Sequence, residues 1–526
     1  MSASTENTVA VIGAGMAGLA AAVRLAAAGY RVVVLEAHDE AGGKMRRVEV
    51  DGIGFDAGPT VMTMKWVFDA LFAAAGRRLD EELTLTPSSV IARHYWRGGT
   101  CLDLHSDPKD TVRAIADFAG RREADGYRRL AADSRRIFEV LKDSFIDASR
   151  PNPLSLSRRI GLGRPADLFA IKPFATLWSA LGGYFSDLRL RQLFGRYATY
   201  CGSSPYLSPA TLMLVAHVEQ EGVWMVQGGI RALARRLEAL AVGLGVEFRY
   251  GDAVTEILVD PSRKAVSGVA TRAGFRLHAG QIVYNGDVAA LAQLMGAVPD
   301  ADKSQSQRSL SALVRCSLAK PAGVPLAHHT VFFSDDYQRE FEAIFARREA
   351  PSDPTVYLCA QDRDTDGQLP AAHGGPERIY ALMNLPADGD RRRRDEGEIS
   401  GCLKSMEERL ALNGLTLSAG PAPANITTPD RFAELYPATG GALYGMASHG
   451  WMASFARPGS KGPLPGLYLA GGSVHPGPGL PMAALSGKLA AERLMADRPL
   501  TRLSHRVAIT GGTLTERATA DVSPSQ

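Results

Sequence analysis

Residues 9–36, VAVIGAGMAGLAAAVRLAAAGYRVVVLE, constrain the fold more than any other stretch of the chain. Val9 to Ile12 is a short apolar run of the kind that forms a buried parallel strand. Gly13, Gly15 and Gly18 follow as G-x-G-x-x-G, with Ala14, Met16 and Ala17 between them. The first glycine allows a tight turn, the second lets main chain approach a pyrophosphate, and the third lets helix and strand pack closely. From about Met16 an Ala- and Leu-rich run predicts a helix, whose N-terminal N–H groups and positive dipole end suit a phosphate. Gly29 is placed to stop that helix, and Arg31 to Leu35 predicts a second strand. Glu36 stands at the carboxyl end of that strand, where an acid can bind ribose hydroxyls. A lone glycine motif also occurs as a turn in ordinary α/β units. Strand, helix, strand and terminal acid in order predict a dinucleotide-binding unit.

The full chain of 526 residues is too long for one simple core and predicts two or three domains. Its 59 basic and 56 acidic residues leave a net charge of +3, which gives no footprint for nucleic acid. Cys101, Cys201, Cys316, Cys359 and Cys402 are far apart, so neither a disulfide framework nor a zinc motif is expected. The leading MSASTENT lacks basic residues, and the apolar run after it is the nucleotide strand rather than a signal segment; a cytoplasmic location is expected. Residues 463–487 and 197–218 lack Asp, Glu, Lys and Arg, but Gly and Pro interrupt both. The apolar stretch from Pro173 to Ser186 is too short to span a bilayer, so only peripheral membrane contact stays open.

After Glu36 come Ala37 and then Gly42-Gly43-Lys44, a glycine pair and a cation suited to a second main-chain approach to a long dinucleotide. Taken alone, Lys44 and Arg46 also read as ordinary solvated charge. Val48 to Ile53 predicts a small hairpin, and Phe55-Asp56-Ala57-Gly58-Pro59-Thr60 follows. These words together resemble the flavin amine oxidase superfamily and, within it, the carotenoid desaturases of the phytoene desaturase type. The resemblance implies FAD as the dinucleotide. It places Glu36 and Ala37 at the adenosine ribose, and Gly42, Gly43, Lys44, Gly58, Pro59 and Thr60 along the flavin half. Relatives often carry Arg two residues after the ribose acid, where this chain has His38.

Farther on, Trp66, Phe68, Leu71 and Phe72 fit one helical face, and 90–97 with 101–104 predict a hairpin about Gly98-Gly99. Asp107-Pro-Lys-Asp110 reads as a helix cap. Between 123 and 216 the chain reads as mostly helical. Arg158, Arg159, Arg164, Lys172, Arg189, Arg191 and Arg196 there surround Leu168, Phe169, Ile171, Phe174, Leu177, Trp178, Leu181, Tyr184 and Phe185. Such a stretch is either a helical subdomain with a solvated basic face or a membrane-interface surface. Ile230, Leu233, Leu237, Leu240 and Leu244 mark another helix; the strand-like words at 246–248, 254–257, 266–270 and 281–285 read as one small sheet. There the resemblance implies a main-chain contact from Val254 beside the adenine, although Val254 reads equally as core. Strand-like pieces at 311–317, 330–333, 355–359 and 378–384 suggest a returning substrate-domain sheet. Arg391 to Arg394 reads as a solvated loop, and His328-His329 lacks nearby ligand spacing, so no metal site is expected.

Residues 466–487 read as a buried strand, a Gly-rich turn and a helix starting near Pro481. They resemble the superfamily's C-terminal flavin motif, implying flavin contacts from Gly472, Ser473, Pro481 and Met482. HPGPGLPMAALSG (475–487) is most similar to the branch acting on hydroxycarotenoids at C3–C4. His475 there is either a turn histidine or a catalytic candidate, and Tyr444, in the Gly-rich word 440–445, either faces substrate or packs in the core. The resemblance implies an α/β fold: a Rossmann-like FAD domain, an interleaved α+β substrate domain and a helical, membrane-facing subdomain. The FAD parts are expected at 1–85, 217–290 and 440–500, the substrate parts at 86–122 and 291–439, the helical part at 123–216, and a disordered tail at 501–526.

The activity so implied is FAD-dependent carotenoid desaturation, introducing a C3–C4 double bond into an acyclic 1-hydroxy or 1-methoxy carotenoid during carotenoid biosynthesis. Phytoene desaturation, carotenoid isomerisation and amine oxidation are alternatives on the same fold, and a lipid-binding protein without catalysis is a fourth. Removing a hydride from an allylic carbon leaves the adjacent proton acidified by the polyene, so no strong protein base is required. The partners implied are a carotenoid, the inner face of a membrane and oxygen or a quinone as electron acceptor.

Overall fold

The computed structural model describes residues 7–161, 170–296, 307–420 and 422–499. Strand β1 (Thr8–Ile12) is buried along its whole length and leads through Gly13 into helix α1 (Met16–Ala27) and strand β2 (Arg31–Leu35). Gly13 and Gly29 adopt φ of +95° and +93°, conformations that favour glycine at these turns. Further along come α2 (Ile230–Gly243), β3 (Glu247–Arg249), β4 (Gln281–Tyr284), β5 (Leu467–Leu469) and α3 (Leu480–Asp497). The strands form one parallel sheet in the order β5-β4-β1-β2-β3.

The small sheet expected between 246 and 285 divides. β3 and β4 join the parallel sheet, whereas Val254–Asp260, Ala265–Thr271 and Arg276–His278 make a separate antiparallel sheet of three strands. Burial sets β4 apart, while β3 joins the sheet at its edge and is exposed at Glu247 and Arg249. β4 is buried at every residue, as a strand covered on both faces must be, whereas Val254–Asp260 keeps a solvated side.

α1 and α3 pack closely because neither presents bulk at the crossing. A Cβ on Gly487 would lie 2.2 Å from the carbonyl oxygen of Ala17. A Cβ on Gly18 would lie 2.1 Å from the carbonyl oxygen of Gly13, so the third glycine of the motif is required by helix-on-strand packing.

An eight-stranded sheet forms the second layer, in the order Leu415–Ala419, Ser311–Gly323, Glu377–Leu385, Val356–Ala360, His329–Phe332, Val90–Trp96, Thr100–His105, with Asn425–Thr427 also on Ser311–Gly323. Gly98 and Gly99, both at positive φ, turn the hairpin between Val90–Trp96 and Thr100–His105. Asp107 caps the next helix by accepting from the Lys109 N–H. The run of four arginines is only partly solvated. Arg391, Arg392 and Arg393 are exposed, but Arg394 is buried and paired with Asp388 at 2.7 Å.

The helical layer comprises Arg121–Leu141, Pro153–Ile160, Leu177–Leu181, Leu188–Gly195 and Leu214–Gln220. Leu177, Leu181 and Phe185 are buried core, whereas Phe174 is 79% exposed and its ring meets that of Trp451 at 5.5 Å. Arg164, Leu168, Phe169 and the expected tail at 501–526 lie outside the described residues. Among the described residues no helix is long and apolar enough to cross a membrane.

Candidate functional site

A cavity of about 670 Å³ runs from the glycine turn to the helical layer. At one end it is lined by Gly13, Gly15, Met16, Ala17, Glu36, Ala37 and His38, all on the carboxyl side of β1 and β2. Ligands of open α/β sheets bind at this strand edge. Ala14 and Gly18 sit behind the surface: the Ala14 N–H donates to Glu36 Oε2 at 2.6 Å, and Gly18 packs the helix. Glu36 is 5% exposed, and its other oxygen accepts from the His38 N–H at 3.0 Å. The carboxylate is thus held by main chain, and at position 38 the main chain, not the imidazole, makes the contact.

The second glycine word closes on the first. Gly15 and Gly42 form a parallel bridge, and a Cβ on Gly43 would stand 3.1 Å from the Gly15 Cα. A Cβ on Gly58 would fall 1.8 Å from the Lys44 carbonyl oxygen, so the 42–44 and 58–60 segments also touch. Gly42, Gly43, Lys44, Gly58, Pro59 and Thr60 also line the cavity. Lys44 Nζ donates to the Leu443 carbonyl at 2.5 Å and lies 5.2 Å from the Tyr436 ring centre; burial pushes its ammonium pKa down, against the pull of Asp287. It is therefore not the solvated cation that its composition alone allows.

The C-terminal word contributes as well: Gly472, Ser473, Pro481 and Met482 all line the cavity, the last two at the N-terminus of α3. Tyr444 lines it as well. His475 does not. It is 1% exposed, and its Nε2 faces the carbonyls of Phe145 and Ala148, each at 2.9 Å, which fixes the proton on Nε2. Burial pushes its pKa down to about 4. The side chain pins the Gly-rich turn to the helical layer, and the cavity wall is made by its neighbours Ser473 and Pro476. Val254 is not among the lining residues either; it packs at the edge of the cluster that holds Ile257 and Val269.

Three positioning residues escaped the sequence reading. Asn285, one residue past β4, donates from Nδ2 to the Gly13 carbonyl at 3.1 Å and lines the cavity. Buried Arg231 on α2 bonds to the Ala41 carbonyl and pairs with Glu40 at 2.5 Å, which holds the 40–45 loop. Arg457, 2% exposed, donates to the carbonyls of Tyr444 and Gly472, each at 3.2 Å, and of Met446 at 2.6 Å, tying the 440–446 and 471–473 words together. Each acts across more than a hundred residues or from outside a recognisable word, so spacing carries no signal for them.

Elsewhere the walls are apolar, with Leu141, Phe145, Ile146, Ile171, Pro173, Val215, Val218 and Phe455. A polar patch interrupts them at Arg196, Tyr200, Glu219, Thr60 and Tyr357. Arg196 therefore faces the interior rather than the solvated basic face. Elsewhere, among the described residues, cross-strand pairing of His329 with Cys359 brings His328, His329 and Cys359 within 4.8 Å of one another. Burial pushes the thiol up and both imidazoles down, so the group is neutral; His328 Nδ1 meets the Arg363 carbonyl at 2.7 Å.

Residues 16–495 match the pattern of the "Flavin containing amine oxidoreductase" family. The chain is 48% identical to the hydroxyneurosporene desaturase of Rubrivivax gelatinosus over 98% of both chains. It is 44% identical to the hydroxyneurosporene desaturase of Cereibacter sphaeroides, over 93% of this chain and 97% of that one. Among solved structures, an oxidoreductase from Methanosarcina mazei superimposes with a TM-score of 0.58 at 15% identity, covering 92% of this chain and 100% of its own, a likeness of fold alone.

Proposed function

The chain belongs to the flavin-containing amine oxidoreductase family, and from that premise we propose that this FAD-dependent carotenoid desaturase introduces the C3–C4 double bond into acyclic 1-hydroxy or 1-methoxy carotenoids. One observation carries the proposal: the same cavity is lined both by the nucleotide loop and by a set of apolar side chains from the helical layer. A dinucleotide and a polyene together match that lining.

The residues fit FAD. Gly13, Gly15, Gly42 and Gly43 present bare main chain to the cavity, and a Cβ on any of them would crowd Asn285, Arg231 or the facing glycine. Glu36, with Ala37 beside it, is our assignment for the adenosine ribose. Met16 and Ala17, at the start of α1, are assigned to the pyrophosphate, and Lys44, Gly58, Pro59, Thr60, Gly472, Ser473, Pro481 and Met482 to the flavin half. Ala14 and Gly18 support these contacts from behind, and Val254 is assigned at most an indirect part near the adenine. Bound FAD supplies the hydride acceptor. The chain's own part is to hold the polyene against that acceptor, to exclude water through the apolar walls, and to fix the turn at 471–473 through Arg457 and His475. The neutral imidazole at 475 keeps its proton on Nε2 and takes none from substrate.

Phe174, Trp451 and Met452 are exposed at the helical layer, where Pro173 and Trp451 also line the cavity. This apolar rim supports peripheral docking on the inner face of a membrane, from which a carotenoid enters. Oxygen or a quinone is our assignment for the electron acceptor.

The test uses FAD-loaded protein in liposomes, offered 1-hydroxyneurosporene and phytoene separately, with product mass and absorption followed under air and with a quinone. Loss of two hydrogens with a red shift from the hydroxylated substrate alone is expected. Turnover of phytoene overturns the C3–C4 assignment, and turnover of neither overturns the desaturase proposal.

A further inference from the structure

The polar patch in the apolar chamber has a specific construction. The Arg196 guanidinium carbon lies 5.5 Å from the Tyr200 ring centre and 5.4 Å from that of Tyr357. Its one hydrogen bond among the described residues is a long contact of 3.4 Å to Tyr200 Oη. Among the described residues no carboxylate forms an ion pair with it. The nearby Glu219 is committed elsewhere: it accepts from Tyr200 Oη at 2.6 Å and from Tyr197 Oη at 2.8 Å. Burial raises the Glu219 pKa, and the tyrosine hydroxyls and Arg196 oppose that shift. Tyr357 Oη in turn meets Thr60 Oγ1 at 2.6 Å, linking the patch to the 58–60 segment.

A guanidinium turned toward an apolar chamber costs several kcal/mol unless its N–H groups find acceptors. A hydrocarbon offers none, whereas an alcohol or ether oxygen does. In a 1-hydroxy or 1-methoxy carotenoid that oxygen is three bonds from C3, so it must sit close to the reacting carbons. Arg196 is in that neighbourhood, because Tyr357 joins it to Thr60 of the segment assigned to the flavin half.

We propose that Arg196, oriented by the rings of Tyr200 and Tyr357, donates to the substrate's C1 oxygen and thereby fixes which end of the carotenoid, and which carbon–carbon bond, reaches the flavin. This rests on the carotenoid reading above. An N–H group donates equally to a hydroxyl or a methoxyl oxygen, so one residue serves both substrate types. Glu219 keeps Tyr200 in place and offsets the cation without quenching it.

The experiment compares wild type with Arg196→Met and Arg196→Lys, all FAD-loaded and in liposomes. It measures kcat/KM on 1-hydroxyneurosporene and the inhibition constant of neurosporene, which lacks the oxygen. Arg196→Met should lower kcat/KM on the hydroxylated substrate roughly 10- to 100-fold while leaving neurosporene inhibition unchanged. Arg196→Lys, which keeps a charged donor, should recover part of the loss. Equal weakening toward both carotenoids would mean that Arg196 only shapes the chamber and would overturn the proposal, as would full activity of Arg196→Met. If Arg196→Met does not accumulate folded, the lysine variant carries the comparison: a selective loss on the hydroxylated substrate supports the proposal, and no selectivity overturns it. Wild-type turnover of phytoene in place of 1-hydroxyneurosporene would sink the underlying carotenoid reading, and is visible before any variant is made.

Discussion

Gly15 and His475 show how two residues beside one cavity contribute differently. At Gly15 the missing side chain matters: a Cβ would reach within 3.0 Å of the Asn285 amide and occupy the cradle. Gly15→Val should purify without flavin while keeping its secondary structure; a fully flavin-loaded variant would refute the nucleotide-loop assignment. His475 acts by being neutral. Its folded pKa of about 4 lies below its ordinary value of 6.5, so the unfolded chain takes up the proton first. The stability that depends on the neutral ring is complete above about pH 6.5 and is lost as pH falls through about 4. The slope in that window is at most about 1.4 kcal/mol per pH unit for each such histidine, and His449, also lowered to about 4, adds in the same direction. His475→Gln should therefore lose stability at neutral pH and flatten the fall in melting temperature below it. A folded, flavin-loaded His475→Gln protein with no turnover at all would return that residue to the chemistry.

At the scale of elements, α1 and α3 are held apart only by main chain. Gly487 leaves no room for a side chain against Ala17, and Lys488, next to it, reaches out to Asp147 of the helical layer at 2.6 Å. Gly487→Val should force the helices apart, cost about 1–3 kcal/mol and loosen flavin at the N-terminus of α3. A thermal melt of the loaded protein and flavin release on dilution would measure both. An unchanged melt would mean that the crossing tolerates a bulkier contact than its geometry allows. The loops between elements rely on buried arginines in the same way: Arg231 fixes one glycine word and Arg457 joins two others, each by satisfying carbonyls that no ladder reaches.

Across the whole molecule, the parallel sheet supplies the nucleotide edge, the eight-stranded sheet a wall, and the helical layer the apolar end. On the reading proposed above, that end meets a membrane. Phe174 and Met452 are exposed there without lining the cavity, so they separate docking from catalysis. Replacing both by Ser should weaken binding to vesicles roughly 10-fold or more, since their apolar area is what the interface buries. KM for carotenoid presented in liposomes should rise, while turnover of detergent-dispersed carotenoid stays near that of wild type. Unchanged flotation with vesicles would remove this rim as the docking surface.

The sequence by itself determined the β1–α1–β2 unit and the turn into α3, because each rests on local requirements: glycine conformation, strand burial and helix termini. It also carried the family and, through it, FAD and the carotenoid class. Only the tertiary structure decided that β4 lies inside the parallel sheet and β3 at its edge, since burial on both faces depends on what packs from far along the chain. The same holds for the side chains. Nothing in the words around Arg196, Arg457 or His475 distinguishes a cavity cation, a loop clamp and a buried pin. Each role depends on partners brought close by folding: Tyr357 for Arg196, Gly472 for Arg457, and Phe145 for His475. Local patterns fix main chain, whereas the work of a polar side chain is set by which distant groups desolvate it and which bond to it.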